Sequence, residues 1–168
     1  VFQVPTKTQY AIRALVHLVR AKSASVASIA ESQHIPYKYL EAIFGQLKNA
    51  GLLISDRGRS GGYRLARAPE LILMSEVVKA MEGDITPVTC LDDTSFCIVS
   101  ETCLPRRFWY GLKHTVDAYL ESVTLAEIAE PGYLPAPEQP TRRKGDITDP
   151  GFLSAPEAFQ KESTSSTA

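Results

Sequence analysis

Ser25-Val26-Ala27-Ser28-Ile29-Ala30-Glu31-Ser32-Gln33-His34-Ile35-Pro36-Tyr37-Lys38-Tyr39-Leu40-Glu41-Ala42-Ile43-Phe44-Gly45-Gln46-Leu47-Lys48-Asn49 is the stretch that decides the fold. Val26, Ile29 and Ala30 share one face of a short helix over Ser25 to Gln33. Pro36 disfavours a helical Ile35 but suits the first turn of a following helix. From Tyr37 to Asn49 the apolar residues Leu40, Ile43, Phe44 and Leu47 recur at helical spacing, and Gly51 stops the run. Upstream, residues 6–21 place Ile12, Leu15, Val16 and Val19 at i, i+3, i+4 and i+7, the pattern of an amphipathic helix. Helix, short helix, brief turn and helix make a helix-turn-helix.

A hairpin follows. Leu52-Leu53-Ile54 and Tyr63-Arg64-Leu65 read as two short strands around Ser55-Asp56-Arg57-Gly58-Arg59-Ser60-Gly61-Gly62, whose glycines permit a tight exposed turn. A helix-turn-helix with a basic hairpin is a winged helix. Residues 71–82 predict one more short helix with Val77, Val78 and Met81 inward, and 83–104 read as irregular. From about Pro105 to Ala129 a long helix is expected. On it Trp109, Leu112, Val116, Tyr119 and Val123 alternate spacings of three and four, the seam of a helix lying along another helix. Such a seam serves either dimerisation or packing on its own domain; the length of the helix and its distance in sequence from the core favour dimerisation. Residues 131–168 hold six of the eleven prolines and few clustered apolar residues, so they read as a disordered tail. Its Arg142-Arg143-Lys144 triplet reads as a solvated charge run. The expected organisation is a winged helix-turn-helix DNA-binding domain over 1–82, a cysteine loop over 83–104, a dimerisation helix over 105–130 and the tail. The fold class is mainly α, with a small β-hairpin wing.

The 168 residues suffice for one compact domain with appendages, and no apolar run approaches a membrane span. The first residues lack the basic, apolar and small-residue succession of a secretory signal, and three cysteines do not make a disulfide scaffold. A cytoplasmic protein is expected. The net charge of −1 hides a division: residues 1–69 hold ten Lys and Arg against three acids, a net +7, and the remainder carries −8. A basic first half suits a polyanion. Enzymatic chemistry finds no footing, since no motif pairs a cysteine with a base, and the glycines at 58–62 lie between strands without the following helix of a phosphate-binding loop.

DNA recognition needs a helix for the major groove, cations for phosphates and polar groups for base edges. The second helix of the motif offers Tyr37, Lys38, Tyr39, Glu41, Gln46 and Lys48 opposite its apolar stripe. Lys and Tyr suit phosphates, and Glu41 suits a cytosine amino group, although a solvated surface acid reads equally well there. Arg57 and Arg59 on the wing suit a narrow minor groove. Cys90, Cys97 and Cys103 share the irregular segment. Soft thiolates on one loop suit a soft metal or an iron–sulfur cluster; a thiol redox switch and three incidental reduced cysteines are the other readings of the same spacing. His17, His34 and His114 share no motif with them and read as surface or packing residues.

Thr6-Lys7-Thr8-Gln9-Tyr10-Ala11, Ser28-Ile29-Ala30, Tyr39-Leu40-Glu41, Leu47-Lys48-Asn49-Ala50-Gly51-Leu52 and Arg57-Gly58-Arg59-Ser60-Gly61-Gly62-Tyr63-Arg64-Leu65 together resemble the Rrf-type winged-helix regulators. The likeness runs through the three cysteines, Trp109 and Thr124-Leu125-Ala126-Glu127-Ile128, covering roughly residues 5–130. The family includes iron–sulfur sensors of the IscR, NsrR and RirA kinds. The resemblance implies a bacterial homodimer on a palindromic double-stranded operator, with Tyr37 to Glu41 in the recognition helix and Arg57 and Arg59 on the wing. Lys7, Ser28 and Ser60, within the matching runs, join the expected DNA-contacting set. It also implies a cluster on Cys90, Cys97 and Cys103, with cluster state setting DNA affinity. Two departures stand out. Arg106 lies where IscR-like members carry a ligating histidine, and Gln9 where NsrR-like members carry an aspartate. Arginine stays protonated and has no lone pair to give. Asp92, Asp93, Glu101, a small thiol or water remain for the fourth position, which favours a 4Fe-4S cluster with one weakly held iron, 2Fe-2S being the alternative. The expected function is a transcriptional repressor sensing iron, redox or nitric oxide status; a cluster-free regulator using thiol oxidation or a partner protein is the second reading.

Overall fold

The computed structural model describes residues 3–56, 61–93, 95, 97–99 and 102–133. Helices α1 (Thr6–Ala21), α2 (Val26–Gln33) and α3 (Tyr37–Asn49) are followed by strands β1 (Leu53–Ser55) and β2 (Tyr63–Leu65), then α4 (Met74–Glu82), α5 (Arg106–Ser122) and α6 (Leu125–Ala129). Single 3-10 turns stand at Pro69–Leu71 and Thr89–Leu91. This mostly helical winged fold agrees with the sequence reading. The tail beyond residue 133 and the wing tip at 57–60 lie outside the described residues.

One core joins the elements. Leu15 and Leu18 of α1, Ile29 of α2, Leu40, Phe44 and Leu47 of α3, Val77 of α4 and Leu125 of α6 are essentially inaccessible. The buried face of α1 is Thr8, Ala11, Ala14, Leu15 and Leu18. Ile12, Val16 and Val19, expected at its centre, are only partly buried at its margin. α1 packs on α3, α4 and α6, and the small Ala11 and Ala14 are fully buried. Thr8, the one buried polar residue among the described residues, donates to Glu82 of α4 and so leaves no unmet hydroxyl.

The turn between α2 and α3 is built as its residues dictate. Ser25 caps α2, accepting from the Ser28 N–H at 3.2 Å. His34 adopts a left-handed conformation (φ 52°), Ile35 inserts into the core, and Pro36 takes the N-cap of α3, one place ahead of the first turn. After α3, Gly51 (φ 73°) reverses the chain, with Leu52 N–H on the Leu47 carbonyl, so the strand begins at Leu53 rather than at Leu52. The hairpin pairs Leu53 with Leu65 and Ser55 with Tyr63. Ala24, in the α1–α2 turn, exchanges both hydrogen bonds with Tyr63 (3.1 and 2.8 Å), fastening the wing to the helical body.

That fastening explains Gly62. A Cβ there would stand 3.0 Å from the Ala24 carbonyl oxygen and 3.2 Å from its carbon, both backbone atoms that cannot swing away. Gly62→Ala is expected to destabilise the protein by about 1–2 kcal/mol. Urea unfolding checks this, and an unchanged midpoint would show that the wing detaches at no cost.

The expected single helix over 105–129 is two. Val123 is extended (φ −111°, ψ 130°) and Thr124 caps α6, accepting from the Glu127 N–H while the Glu127 carboxylate accepts from the Thr124 N–H at 2.7 Å. Leu73 and Thr124 form an antiparallel bridge, with Met74 N–H on the Val123 carbonyl and Leu125 N–H on the Ile72 carbonyl. Val123 is therefore 6% exposed and belongs to the core of its own chain, not to a seam. Residues 71–82 likewise shorten to Met74–Glu82, because Pro69–Leu71 forms a 3-10 turn and Ile72 is extended and buried.

Candidate nucleic-acid interface

The core fixes how α3 is displayed. Leu40, Ile43, Phe44 and Leu47 face inward; Tyr37, Lys38, Tyr39, Glu41, Gln46 and Lys48 are exposed. The structure thus brings six of the expected residues onto the outer surface of one helix. Ala42, Gly45 and Asn49 share that surface and were missing from the expected set; their spacing of four, seven and eleven from Lys38 is the signal that identifies them. No side chain caps the start of α3 and no acid stands in its first turn, so its positive end is open.

Neighbouring side chains hold several of these groups. Tyr39 packs edge-on against Tyr10 with ring centroids 5.8 Å apart, and the Arg13 guanidinium lies 5.7 Å from the Tyr10 ring while donating to the Gln33 carbonyl. Lys48 donates to the Ser55 hydroxyl at 3.3 Å, which ties α3 to the first strand of the wing. Ser28 is exposed on α2. Lys7 is placed differently from the rest. Its ammonium donates to the Met81 carbonyl and lies 3.3 Å from the Glu82 carboxylate, so it joins α1 to the end of α4.

The base of the wing is held by Asp56. Ser23 donates to one of its oxygens at 2.8 Å and Arg64 to the other at 2.8 Å, and these bonds keep the carboxyl below its ordinary range. Sequence reasoning passed over Ser23 and Asp56, whose pairing spans 33 residues and leaves no local pattern. Arg57, Arg59 and Ser60 lie outside the described residues.

Cys90 sits in the 3-10 turn Thr89–Leu91, which packs against α5, and Cys103 precedes the start of α5, its carbonyl accepting from the Arg106 N–H at 3.2 Å. All three cysteines are free thiols of intermediate exposure. Among the described residues, no three His, Cys, Asp or Glu side chains are gathered in a metal-holding group. Asp92 accepts from the Thr86 hydroxyl, and Asp93 accepts from the Ser95 N–H (2.9 Å) and hydroxyl (2.6 Å), so both carboxylates proposed for a fourth position already carry loop hydrogen bonds. Glu101 lies outside the described residues. Lys113 of α5 is held above its ordinary range by its bond to Asp117 (2.6 Å), with Asp84 and Asp92 adding to the effect, which sets the stretch flanking Cys90 beside α5. His17 meets Gln33 at 3.4 Å and His114 is exposed on α5.

Known proteins share this arrangement. The chain is 32% identical over 130 residues to the HTH-type transcriptional regulator CymR of Bacillus subtilis, covering 76% of this chain and 89% of that one. It is 33% identical over 145 residues to the HTH-type transcriptional regulator IscR of Cereibacter sphaeroides, covering 82% and 94%. Among solved structures, CymR of B. subtilis, described as its global cysteine regulator, superposes with a TM-score of 0.64 at 30% identity over 77% of this chain and 97% of that one. The T. potens IscR structure gives 0.58 at 30% identity, over 76% and 85%. No described helix is long and apolar enough to cross a membrane. The sequence pattern of Rrf2, described as iron-dependent transcriptional regulators, matches residues 4–131. With the winged helix in place and DNA-binding regulators on every side of it, the chain belongs to the Rrf2 family of transcriptional regulators.

Proposed function

We propose that this protein is a cytoplasmic, homodimeric repressor that binds a palindromic operator through α3 and the wing and carries an iron–sulfur cluster on Cys90, Cys97 and Cys103. The observation that carries the reading is the union of an exposed Lys38–Glu41–Gln46 surface on a core-anchored α3 with three free thiols in the one segment joining α4 to α5. Lys38 and the open start of α3 suit phosphates, Glu41 and Gln46 suit base edges, and Tyr37 and Tyr39 suit the groove wall. Arg57, Arg59 and Ser60 extend the surface onto the wing, and Ser28 from α2. Lys7 contributes through the α1–α4 joint it holds, not as a free cation.

The donor chemistry suits a cluster, and the three thiols are not gathered in this structure. Three reduced, partly accessible thiols without a histidine in their segment are soft ligands of the kind that hold iron–sulfur clusters, and such a group supplies redox and iron sensitivity when bound. A 4Fe-4S cluster with one iron not held by the protein matches three cysteines whose nearby Asp92 and Asp93 are otherwise bonded. Dimerisation is supported by α5, none of whose residues is fully buried within its own chain and which leaves Phe108 65% exposed. The likeness to CymR favours a second reading, a cluster-free regulator signalling through thiols or a partner.

Protein purified without oxygen decides between them. A brown protein with a broad band near ~400 nm, iron and acid-labile sulfide, all lost in Cys90→Ala, Cys97→Ala and Cys103→Ala, is the expected result. Colourless, iron-free wild type would overturn the cluster and leave the thiol-based regulator.

A further inference from the structure

We infer that Gly45 is a DNA-contact position, where the duplex approaches the α3 backbone too closely for any side chain. The inference rests on the reading of α3 as the recognition helix. Glycine is the poorest helix former after proline, so a mid-helix glycine calls for a physical cause. None lies inside the protein. Gly45 has no positive φ, and a Cβ built there meets nothing within 4 Å. Compare Gly62, whose Cβ would strike the backbone of Ala24. Gly45 is exposed, and it stands seven residues after Lys38 and four after Glu41, on the side of α3 opposite Leu40, Ile43, Phe44 and Leu47. The wing is tied to the same end of the helix through Lys48 and Ser55. Gly45 lies between the Lys38–Glu41 surface and the end of α3 tied to the wing, and it is the one position of α3 with no side chain. Absence of a Cβ lets a sugar-phosphate strand come within van der Waals distance of the helix backbone, one of the standard uses of glycine.

The inference requires stability and binding to move in opposite directions. The test takes wild type, Gly45→Ala, Gly45→Gln and Lys38→Ala as full-length protein, with a duplex of about 30 base pairs selected by wild type from a random pool. Gly45→Ala is expected to raise the melting temperature by roughly 2–6 °C, because alanine is the better helix former and displaces nothing. The same variant is expected to bind the selected duplex about tenfold more weakly, and Gly45→Gln about a hundredfold. Binding by Gly45→Ala equal to wild type, while Lys38→Ala loses affinity, would overturn the role of Gly45 and leave α3 as the recognition helix. Unimpaired binding by both Lys38→Ala and Gly45→Gln would overturn the reading of α3 itself. A lowered melting temperature for Gly45→Ala would also overturn the inference, since glycine would then serve the fold.

Discussion

A Phe108→Glu, Thr115→Glu double variant is expected to sediment as a monomer and to lose at least ~100-fold in operator affinity, with its thermal melt little changed. Leu104, Phe108 and Tyr119 are 68%, 65% and 49% exposed. Phe108 and Tyr119 stand eleven residues apart on α5, with Gly111 and Thr115 between them, so they line one side of the helix, and Leu104 lies just ahead of its start. α5 packs on α4, and Phe108 and Tyr119 stay exposed in a single chain, with Tyr119 meeting Tyr133 through its hydroxyl. An exposed apolar row on a 17-residue helix is the physical signature of a surface that another helix covers. In a two-fold arrangement, two glutamates per chain bring four carboxylates into one apolar contact, where each desolvated charge lacks a partner. Monomerisation then acts on DNA binding by arithmetic. A dimer presents its second winged helix to the second half-site at high effective concentration, and separating the two forfeits a factor of about 10²–10⁴. Analytical ultracentrifugation and fluorescence anisotropy on the selected duplex read both quantities. A variant that stays dimeric would place the interface elsewhere.

How much was readable in advance depended on whether the deciding contact was local. The bounds of α3 were legible because Leu40, Ile43, Phe44 and Leu47 lie on one face and Pro36 and Gly51 punctuate the run. The break at Val123 was missed because Val123 continues the spacing of Trp109, Leu112, Val116 and Tyr119. What overrides the spacing is a bridge between Leu73 and Thr124, 51 residues apart in sequence, which periodicity does not register. A local signal was present nonetheless: Thr124-Leu125-Ala126-Glu127 is a capping-box sequence and marks a helix start inside the supposed helix. The residues of the expected seam part company for the same reason. Tyr119 remains exposed, whereas Val123 turns into its own core. On the exposed face of α3, charge made Lys38 and Lys48 visible, and only the fold separates them from Lys7, whose ammonium is spent on Glu82 and the Met81 carbonyl. Gly45 was invisible because composition registers what a side chain brings and not what its absence permits. The cysteines were visible at once, since their identity alone states their chemistry.

Phe44→Ala is expected to destabilise the protein by about 3–5 kcal/mol, enough to bring a domain of ordinary stability to the edge of unfolding at 25 °C. Phe44 is 0% exposed and is the largest of the fully buried side chains. Its ring meets Tyr63 edge-on at a centroid distance of 5.0 Å, and Tyr63 in turn holds the Ala24 bridge. The side chain therefore joins α3 to the wing and, through the wing, to the α1–α2 turn. Truncation removes the transfer energy of the ring and leaves a void that the backbone cannot collapse, because Leu40 and Leu47 on the same helix are themselves fully packed. The loss should not be uniform. Amide exchange is expected to accelerate first in β1, β2 and Ala24, whose attachment runs through Tyr63 beside Leu53 and the Lys48–Ser55 and Ser23–Asp56 bonds, and later in the α1–α4 pairing, which Thr8 and Lys7 clamp to Glu82. Phe44→Leu keeps an apolar body in the space and should recover more than half of the lost stability. Urea titration of the three proteins measures the totals, and hydrogen exchange measures their distribution. Equal acceleration throughout the protein would mean that wing and helical body unfold as one unit, and that the Phe44–Tyr63 contact is not the joint between them.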